Sequence, residues 1–293
     1  MEPISMITDL LNEIRTDPSY NKIIGNGYLI VEYKCPIETE KFRLLTEQNF
    51  IIYTISGQKD WIASGKTFKA GAGDGLFVKK GVYTTRQYFD VDHCILILFI
   101  SNDFIRSFMM ENHSVSGRTN ELGMDDPIIP LHINDILESL FHSIFGYLKM
   151  VPEIPRELLE LKFRELLYNI VLDPQNKTLT SYFCSLRYLS RSSLQNVMLH
   201  NYQYDLSLEE LARLSGRSLS TFKRDFKTIY NMPPAKWLTE KRLELAKNLL
   251  LNSGMNVNEV AFESGFKNPA HFNKIFKDKY SLPPHQFRSR FSN

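Results

Sequence analysis

Ser220, Thr221, Lys223, Arg224 and Lys227 recur along one side of a segment whose other side carries Phe222 and Phe226. Hydroxyl, ammonium and guanidinium groups at that spacing are donors suited to phosphate oxygens and to the edges of bases. Fifty residues further on the pattern returns as Asn268, Ala270, His271, Asn273, Lys274 and Lys277, opposite Phe272 and Phe276. A merely solvated helix face carries much the same residue types, so one copy alone leaves both readings open. Two copies with basic outer faces favour a polyanion, and DNA in particular.

The elements that must position these donors are legible in the same repeat. The stretch LSLEELARLSGRSLSTFKRDFKTIYNMPPAKW (206–237) lies over MNVNEVAFESGFKNPAHFNKIFKDKYSLPPHQF (255–287). The offset is 49 up to Gly216 and Gly265 and 50 after them, and an insertion at that point marks a turn. Ser207 with Glu210, and Asn256 with Glu259, have the spacing of a capping box at a helix start. Leu208, Leu211, Ala212 and Leu214, matched by Val257, Val260 and Ala261, give each short helix one apolar face. Glycine then stops the helix, because it takes the left-handed conformation without steric cost. A second helix follows in each copy, with Phe222, Phe226 and Ile229 inward, matched by Phe272, Phe276 and Tyr280. Short helix, glycine turn, helix is the helix-turn-helix pattern, in which the second helix enters the major groove. Between the copies, Trp237 to Leu251 lacks Gly and Pro and repeats leucine at helical spacing. A connecting helix of about 22 Å follows, which makes recognition helices ~34 Å or ~10 bp apart feasible on one face of a duplex. The repeated Tyr-x-x-Pro-Pro-x-x-aromatic (Tyr230 to Trp237, Tyr280 to Phe287) reads as scaffold that ends one helix and starts the next.

Charge agrees with a basic C-terminal module. From residue 190 onward sixteen Lys and Arg stand against nine Asp and Glu, a net +7, while residues 1–189 carry −5. The chain of 293 residues has room for about two domains, and 43% hydrophobic with 23% charged is ordinary globular composition. The longest apolar run, Ile95 to Ile100, is far short of the ~20 residues of a membrane-spanning helix, and MEPISMITDLL has no basic n-region. A cytoplasmic location is expected, with no membrane partner. Cys35, Cys94 and Cys184 lack CxxC spacing, so they read as spectator thiols rather than a disulfide framework or zinc site.

From about Ser190 to Arg290 the sequence resembles the DNA-binding domain of the AraC/XylS family of bacterial transcription regulators. The residues that carry the likeness are RLELAKNLL (242–250) on the connecting helix and EVAFESGFKNPAHFNKIFKDKYSLPPHQFR (259–288) in the second unit. The resemblance implies base contacts from Leu219, Ser220, Lys223 and Arg224 on the first recognition helix and from Ala270, Asn273 and Lys274 on the second. It implies phosphate contacts from Thr221, Lys227, Asn268 and Lys277. Pro269 and Ala270 depart from the more polar residues common in the family at the second helix.

Residues 50–100 read as short strands broken by glycine: FIIYTIS, KTFKA, GLFVKK, VYTTRQYF and CILILFIS. AGAGDGLFVKKGVY (70–83) resembles the turn-strand-turn signature of the cupin-like barrels that precede the DNA-binding domain in many AraC-type regulators. Helical periodicity resumes over 133–150 and 155–172. In RELLELKFRELLYNIV, Leu158, Leu161, Leu166 and Ile170 with Leu159, Phe163 and Leu167 make a stripe wider than one packing face needs. Two helices packed on the barrel or a homodimer interface would both account for it, and the resemblance favours the dimer. The expected class is therefore α+β, with a cupin-like regulatory and dimerisation domain over 1–172, a linker over 173–189, and an all-α domain with two helix-turn-helix units over 190–293.

The layout is closest to the ExsA-like subgroup, which implies an activator that contacts RNA polymerase and whose N-terminal domain receives a protein partner, with a small-molecule effector left open. The alternative is a cupin-type metalloenzyme with an appended DNA-binding domain. Cupin metal sites need an HxH pair, a carboxylate and a later histidine, and the barrel region holds only His93. The glycines of GAGDG fit neither a phosphate loop nor the GxGxxG dinucleotide pattern. No enzyme, no metal and no cofactor is expected.

Overall fold

The run from Cys94 to Ile100 is buried at all seven positions, and its place in the fold explains why it never alternates with polar residues. Its strand lies inside a sheet covered on both faces, so successive side chains enter two different cores. Leu96, Leu98 and Ile100 join one, and Ile95, Ile97 and Phe99 join the other.

The computed structural model describes residues 7–25, 27–34, 40–89, 92–117, 122–150, 154–187 and 193–291. Two compact units, Met6–Ser190 and Arg191–Asn293, emerge from it. In the first, the described strands are β1 (Ile7–Asp9), β2 (Lys22–Ile24), β3 (Tyr28–Lys34), β4 (Lys41–Thr46), β5 (Asn49–Ser56), β6 (Gln58–Ala63), β7 (Lys66–Gly71), β8 (Gly75–Val78), β9 (Gly81–Gln87), β10 (Cys94–Ile100) and β11 (Ile128–Leu131). Helices α1 (Leu10–Thr16), α2 (Asn102–Glu111), α3 (Asp135–Met150), α4 (Arg156–Leu172) and α5 (Lys177–Ser185) accompany them. One sheet has the order β1-β4-β9-β6-β7 and the other β11-β8-β5-β10-β3-β2.

The cupin-like region is thus a pair of open sheets; among the described residues no strand pairing closes them into one barrel. Phe42, Leu44, Trp61 and Tyr83 from the first sheet meet Val31, Phe50, Ile52 and Phe99 from the second. The outer face of the second sheet is covered by α2 to α5, through Phe108, Phe141, Ile144, Phe163, Leu167 and Phe183 among others. Tyr53 stacks on Phe141 with ring centroids 4.7 Å apart, and Tyr28 on Phe163 at 4.6 Å. Sequence reasoning found β5, β7, β8, β9 and β10 but not the first four strands, β6 or β11: β1, β2 and β11 have only three or four residues, and β3, β4 and β6 carry charged residues without strict alternation.

Helix α4 buries Leu159, Phe163, Leu166, Leu167 and Ile170, whereas Leu161 and Leu172 are 61% and 72% exposed. The wide stripe therefore divides into a core face and an outer face. Inside 173–189, the segment expected as a linker, Asp173 caps a 3-10 turn and α5 buries Leu179 and Phe183 in the core it shares with α4. Residues 188–192, where the two units adjoin in sequence, and Cys35 lie outside the described residues; Cys94 and Cys184 are free and buried.

The second unit contains α6 (Leu194–Asn201), α7 (Leu208–Leu214), α8 (Leu219–Tyr230), α9 (Pro234–Asn252), α10 (Val257–Glu263), α11 (Pro269–Tyr280) and α12 (Pro284–Phe291). Both capping boxes are closed: Ser207 Oγ accepts from the Glu210 amide while Glu210 accepts from the Ser207 amide, and Asn256 with Glu259 does the same. Ser207→Ala is expected to lower the unfolding free energy of this unit by about 1 kcal/mol, measured by urea denaturation of the full chain. The connecting helix α9 has 19 residues, about 28 Å, and buries Trp237, Leu238, Leu243, Ala246 and Leu250.

Candidate nucleic-acid interface

Each recognition helix is held by what stops the helix before it. Gly216 has φ +68° and Gly265 has φ +90°. In the first turn the Arg217 amide donates to Ala212 O and the Gly216 amide to Arg213 O; in the second, Phe266 donates to Ala261 O and Gly265 to Phe262 O. These paired bonds use up carbonyls that the helix end would leave unsatisfied and set the direction of the following helix.

The N-termini of both recognition helices are capped. Ser218 Oγ accepts from the Thr221 amide at 3.3 Å, and Asn268 Oδ1 accepts from the Ala270 and His271 amides at 2.8 and 3.2 Å. Both C-termini end in a left-handed residue, Asn231 and Ser281, whose amides donate to Lys227 O and Lys277 O. Prolines follow, with Pro234 and Pro284 at the first positions of α9 and α12. The repeated Tyr-Pro-Pro-aromatic closes into two aromatic clusters. Tyr230 stacks on Phe226 at 4.5 Å and lies 5.1 Å from Trp237; Tyr280 lies 4.6 Å from Phe276 and 5.6 Å from Phe287. Tyr230 thereby takes the inward place that periodicity assigned to Ile229, which is left 44% exposed.

With the phenylalanines buried, the opposite faces are presented to solvent. On α8, Ser220, Lys223, Arg224 and Lys227 are exposed, and Leu219 and Thr221 are half-buried at the start of the helix. On α11, Ala270, Asn273, Lys274 and Lys277 are exposed, as is Asn268 at the cap. The spacings i, i+3, i+4 and i+7 in both sets put each on one face. Asp225 tempers the charge of α8. Its carboxylate accepts from Arg217 Nε at 3.1 Å and lies 3.3 Å from an Arg224 nitrogen. The bond from Arg217, with help from Arg224, holds the Asp225 carboxyl below the usual carboxylate range. Arg217 also donates to Ser215 O at 2.8 Å, so it ties the turn to the recognition helix. Ser218 and Arg217 escaped sequence reasoning. The serine had a signal, since it directly precedes the amphipathic run; the Arg217–Asp225 pair joins two elements and had none. Asn268 was expected at phosphate, and its oxygen is occupied as a helix cap, which leaves its amide nitrogen as the group to donate outward.

Residues 49–182 match the family described as the ExsA N-terminal regulatory domain, and residues 211–290 match the family described as a helix-turn-helix domain. The thermoregulatory protein LcrF of Yersinia pestis is 28% identical over 248 residues, covering 82% of this chain and 89% of that protein. The HTH-type transcriptional regulator ExsA of Pseudomonas aeruginosa is 28% identical over 254 residues, covering 86% and 90%. The chain belongs to the AraC/XylS family. A solved structure of ToxT from Vibrio cholerae covers 92% of this chain and 99% of its own at 11% identity, with a TM-score of 0.44, a likeness too remote to add to this.

This AraC-type regulator therefore carries a helix-turn-helix DNA-binding domain, and its partner is DNA. Among the described residues no group of three or more His, Cys, Asp or Glu could hold a metal ion, and no helix is long and apolar enough to cross a membrane. His93 stands just before β10 with both ring nitrogens buried and without a hydrogen-bond partner. Burial, with the Lys59 ammonium adding repulsion, lowers its pKa to about 4.

Proposed function

We propose that this chain is a transcription activator that reads two successive major grooves, with Leu219, Ser220, Lys223 and Arg224 at bases of one half-site and Ala270, Asn273 and Lys274 at the other. Thr221, Lys227, Asn268 and Lys277 set the register on phosphates. The observation that carries this reading is the pair of capped helices, α8 and α11, each with its phenylalanines inward and its donors on the opposite face. Lys223 reaches guanine O6 or N7, and Asn273 pairs bidentately with adenine. Duplexes selected from a random pool should bind the full-length protein at least ~10³-fold more tightly than scrambled ones at ~150 mM salt; equal binding of all duplexes would sink the proposal. Lys223→Ala should weaken selected sites by about 1–3 kcal/mol and relax one base position. A uniform loss on every sequence, with a salt slope shallower by about one, would move Lys223 to phosphate.

The N-terminal unit acts in regulation, not in catalysis, as its match to a regulatory-domain family supports. That domain runs through α5, since α5 shares the core of α4, and the junction falls at about 188–192. It receives the effector, a protein partner or a small molecule, and the activator role requires contact with RNA polymerase; the name of a further relative, the virulence regulon transcriptional activator VirF of Yersinia enterocolitica, supports activation. Homodimerisation uses residues 133–172, through Ile136 on α3 and Leu161, Tyr168 and Leu172 on α4, all exposed. Leu161→Glu with Leu172→Glu should convert a dimer to a monomer in sedimentation equilibrium without lowering the melting temperature. A double variant with the wild-type mass in solution would exclude this face.

A further inference from the structure

Gly216 and Gly265 occupy equivalent turns, yet their surroundings differ. A Cβ on Gly216 would meet nothing within 4 Å, whereas a Cβ on Gly265 would lie 2.8 Å from the Gln203 carbonyl oxygen and 2.9 Å from Arg242 Nε. Gln203 belongs to the loop between α6 and α7, ahead of the first helix-turn-helix, and Arg242 to the connecting helix. Arg242 donates from Nε to the Tyr202 carbonyl at 2.8 Å and from Nη2 to the Tyr204 carbonyl at 2.7 Å. Lys267, two residues past Gly265, pairs with Asp205 of the same loop at 2.9 Å. Residues 202–205 are thus gripped from α9 and touched by the second turn, sixty residues away in sequence.

We infer that Arg242 is a positioning residue that locks the two helix-turn-helix units at one separation and so makes the protein select operators by the spacing of their half-sites. This rests on the two-groove reading above. The planar guanidinium fork holds two carbonyls of one loop in a fixed direction, which a lysine ammonium cannot do. The second unit is built on α9, since Leu243, Ala246 and Leu250 share one core with Val260, Ala261 and Phe272, so the grip of Arg242 on the loop ahead of α7 ties that core to the first unit. Close packing of Gly265 against the clamped loop adds a second tie between the units. One extra base pair moves a half-site by about 3.4 Å and turns it by roughly 34°, a change that a rigid pair of recognition helices cannot follow.

The test uses full-length protein carrying Cys35→Ser, with spin labels on Thr228→Cys and Asp278→Cys, equivalent exposed positions on α8 and α11; Cys94 and Cys184 are buried. Two quantities are read: the width of the distance distribution between the labels without DNA, and affinity for duplexes whose selected half-sites are at native spacing or one base pair closer or farther. Wild type should give a narrow distribution and lose at least about tenfold in affinity per altered base pair. Arg242→Gln should broaden the distribution and bring the three spacings to within about threefold of one another, with single half-site affinity kept. Arg242→Lys should fall between and carries the comparison if Arg242→Gln does not fold. Variants that melt earlier but keep the wild-type width and spacing profile would make Arg242 merely structural and overturn the inference, as would a broad distribution in wild type. A wild type with no spacing preference but a narrow distribution that Arg242 variants broaden would leave the lock standing and end the two-groove reading.

Discussion

Phe276→Ala is expected to remove about 3–5 kcal/mol of stability, a large part of the roughly 5–15 kcal/mol that holds a domain together. The ring is fully buried and stands at the centre of the second unit, with centroids of Phe272, Tyr280 and Phe287 at 5.4, 4.6 and 5.4 Å. Truncation deletes three aromatic contacts and leaves a cavity that α11, pinned by the Asn268 cap and the left-handed Ser281, cannot collapse to fill. Phe226→Ala should act in the same way on the first unit, where Phe222, Tyr230 and Trp237 surround it. Urea unfolding of the full chain, followed by tryptophan fluorescence for Phe226→Ala and by far-UV circular dichroism for Phe276→Ala, checks both. A loss under ~1 kcal/mol would mean that the aromatic clusters do not hold the recognition helices.

Acid should destabilise the N-terminal unit through His93. Its folded pKa of about 4 lies below the ordinary 6.5, so between those values the unfolded chain binds a proton that the folded chain refuses. Stability is then full above about pH 6.5 and falls as pH drops toward 4, by up to roughly 3 kcal/mol from this one group. The histidine's backbone is held beside Gly57, where an added Cβ would lie 2.8 Å from His93 Cα, and both ring nitrogens are buried. His93→Gln cannot take up the proton. The expected result is a shallower fall in melting temperature between pH 6.5 and 4 for the variant than for wild type. Parallel curves would mean that His93 is solvated and titrates normally.

The helix-turn-helix pair was legible because its signals are local. A capping residue three positions before a glutamate, a glycine at a helix end, and phenylalanines four apart each act within one or two turns, and the duplication repeats every one of them. The same locality gave the exposed donors, whose placement follows once Phe222, Phe226, Phe272 and Phe276 are inward. Even here a neighbour in space decided the detail: Tyr230, held by Trp237, displaced Ile229 from the core.

The N-terminal half was less legible, because strands take their meaning from partners far away in sequence. Thus β10 pairs with β3 and β5, and α5 resembled a polar linker until α4 supplied a surface for Leu179 and Phe183. The sequence alone determined the class of the molecule and the two exposed donor faces of α8 and α11, since helical periodicity and capping are properties of contiguous residues. Only the tertiary structure decided that the cupin-like sheets stay open, that the stripe on α4 divides into buried and exposed sides, and that Arg242 reaches back 38 and 40 residues to grip a loop. Those outcomes depend on which surfaces meet across long stretches of chain, and no local pattern of residue types encodes that.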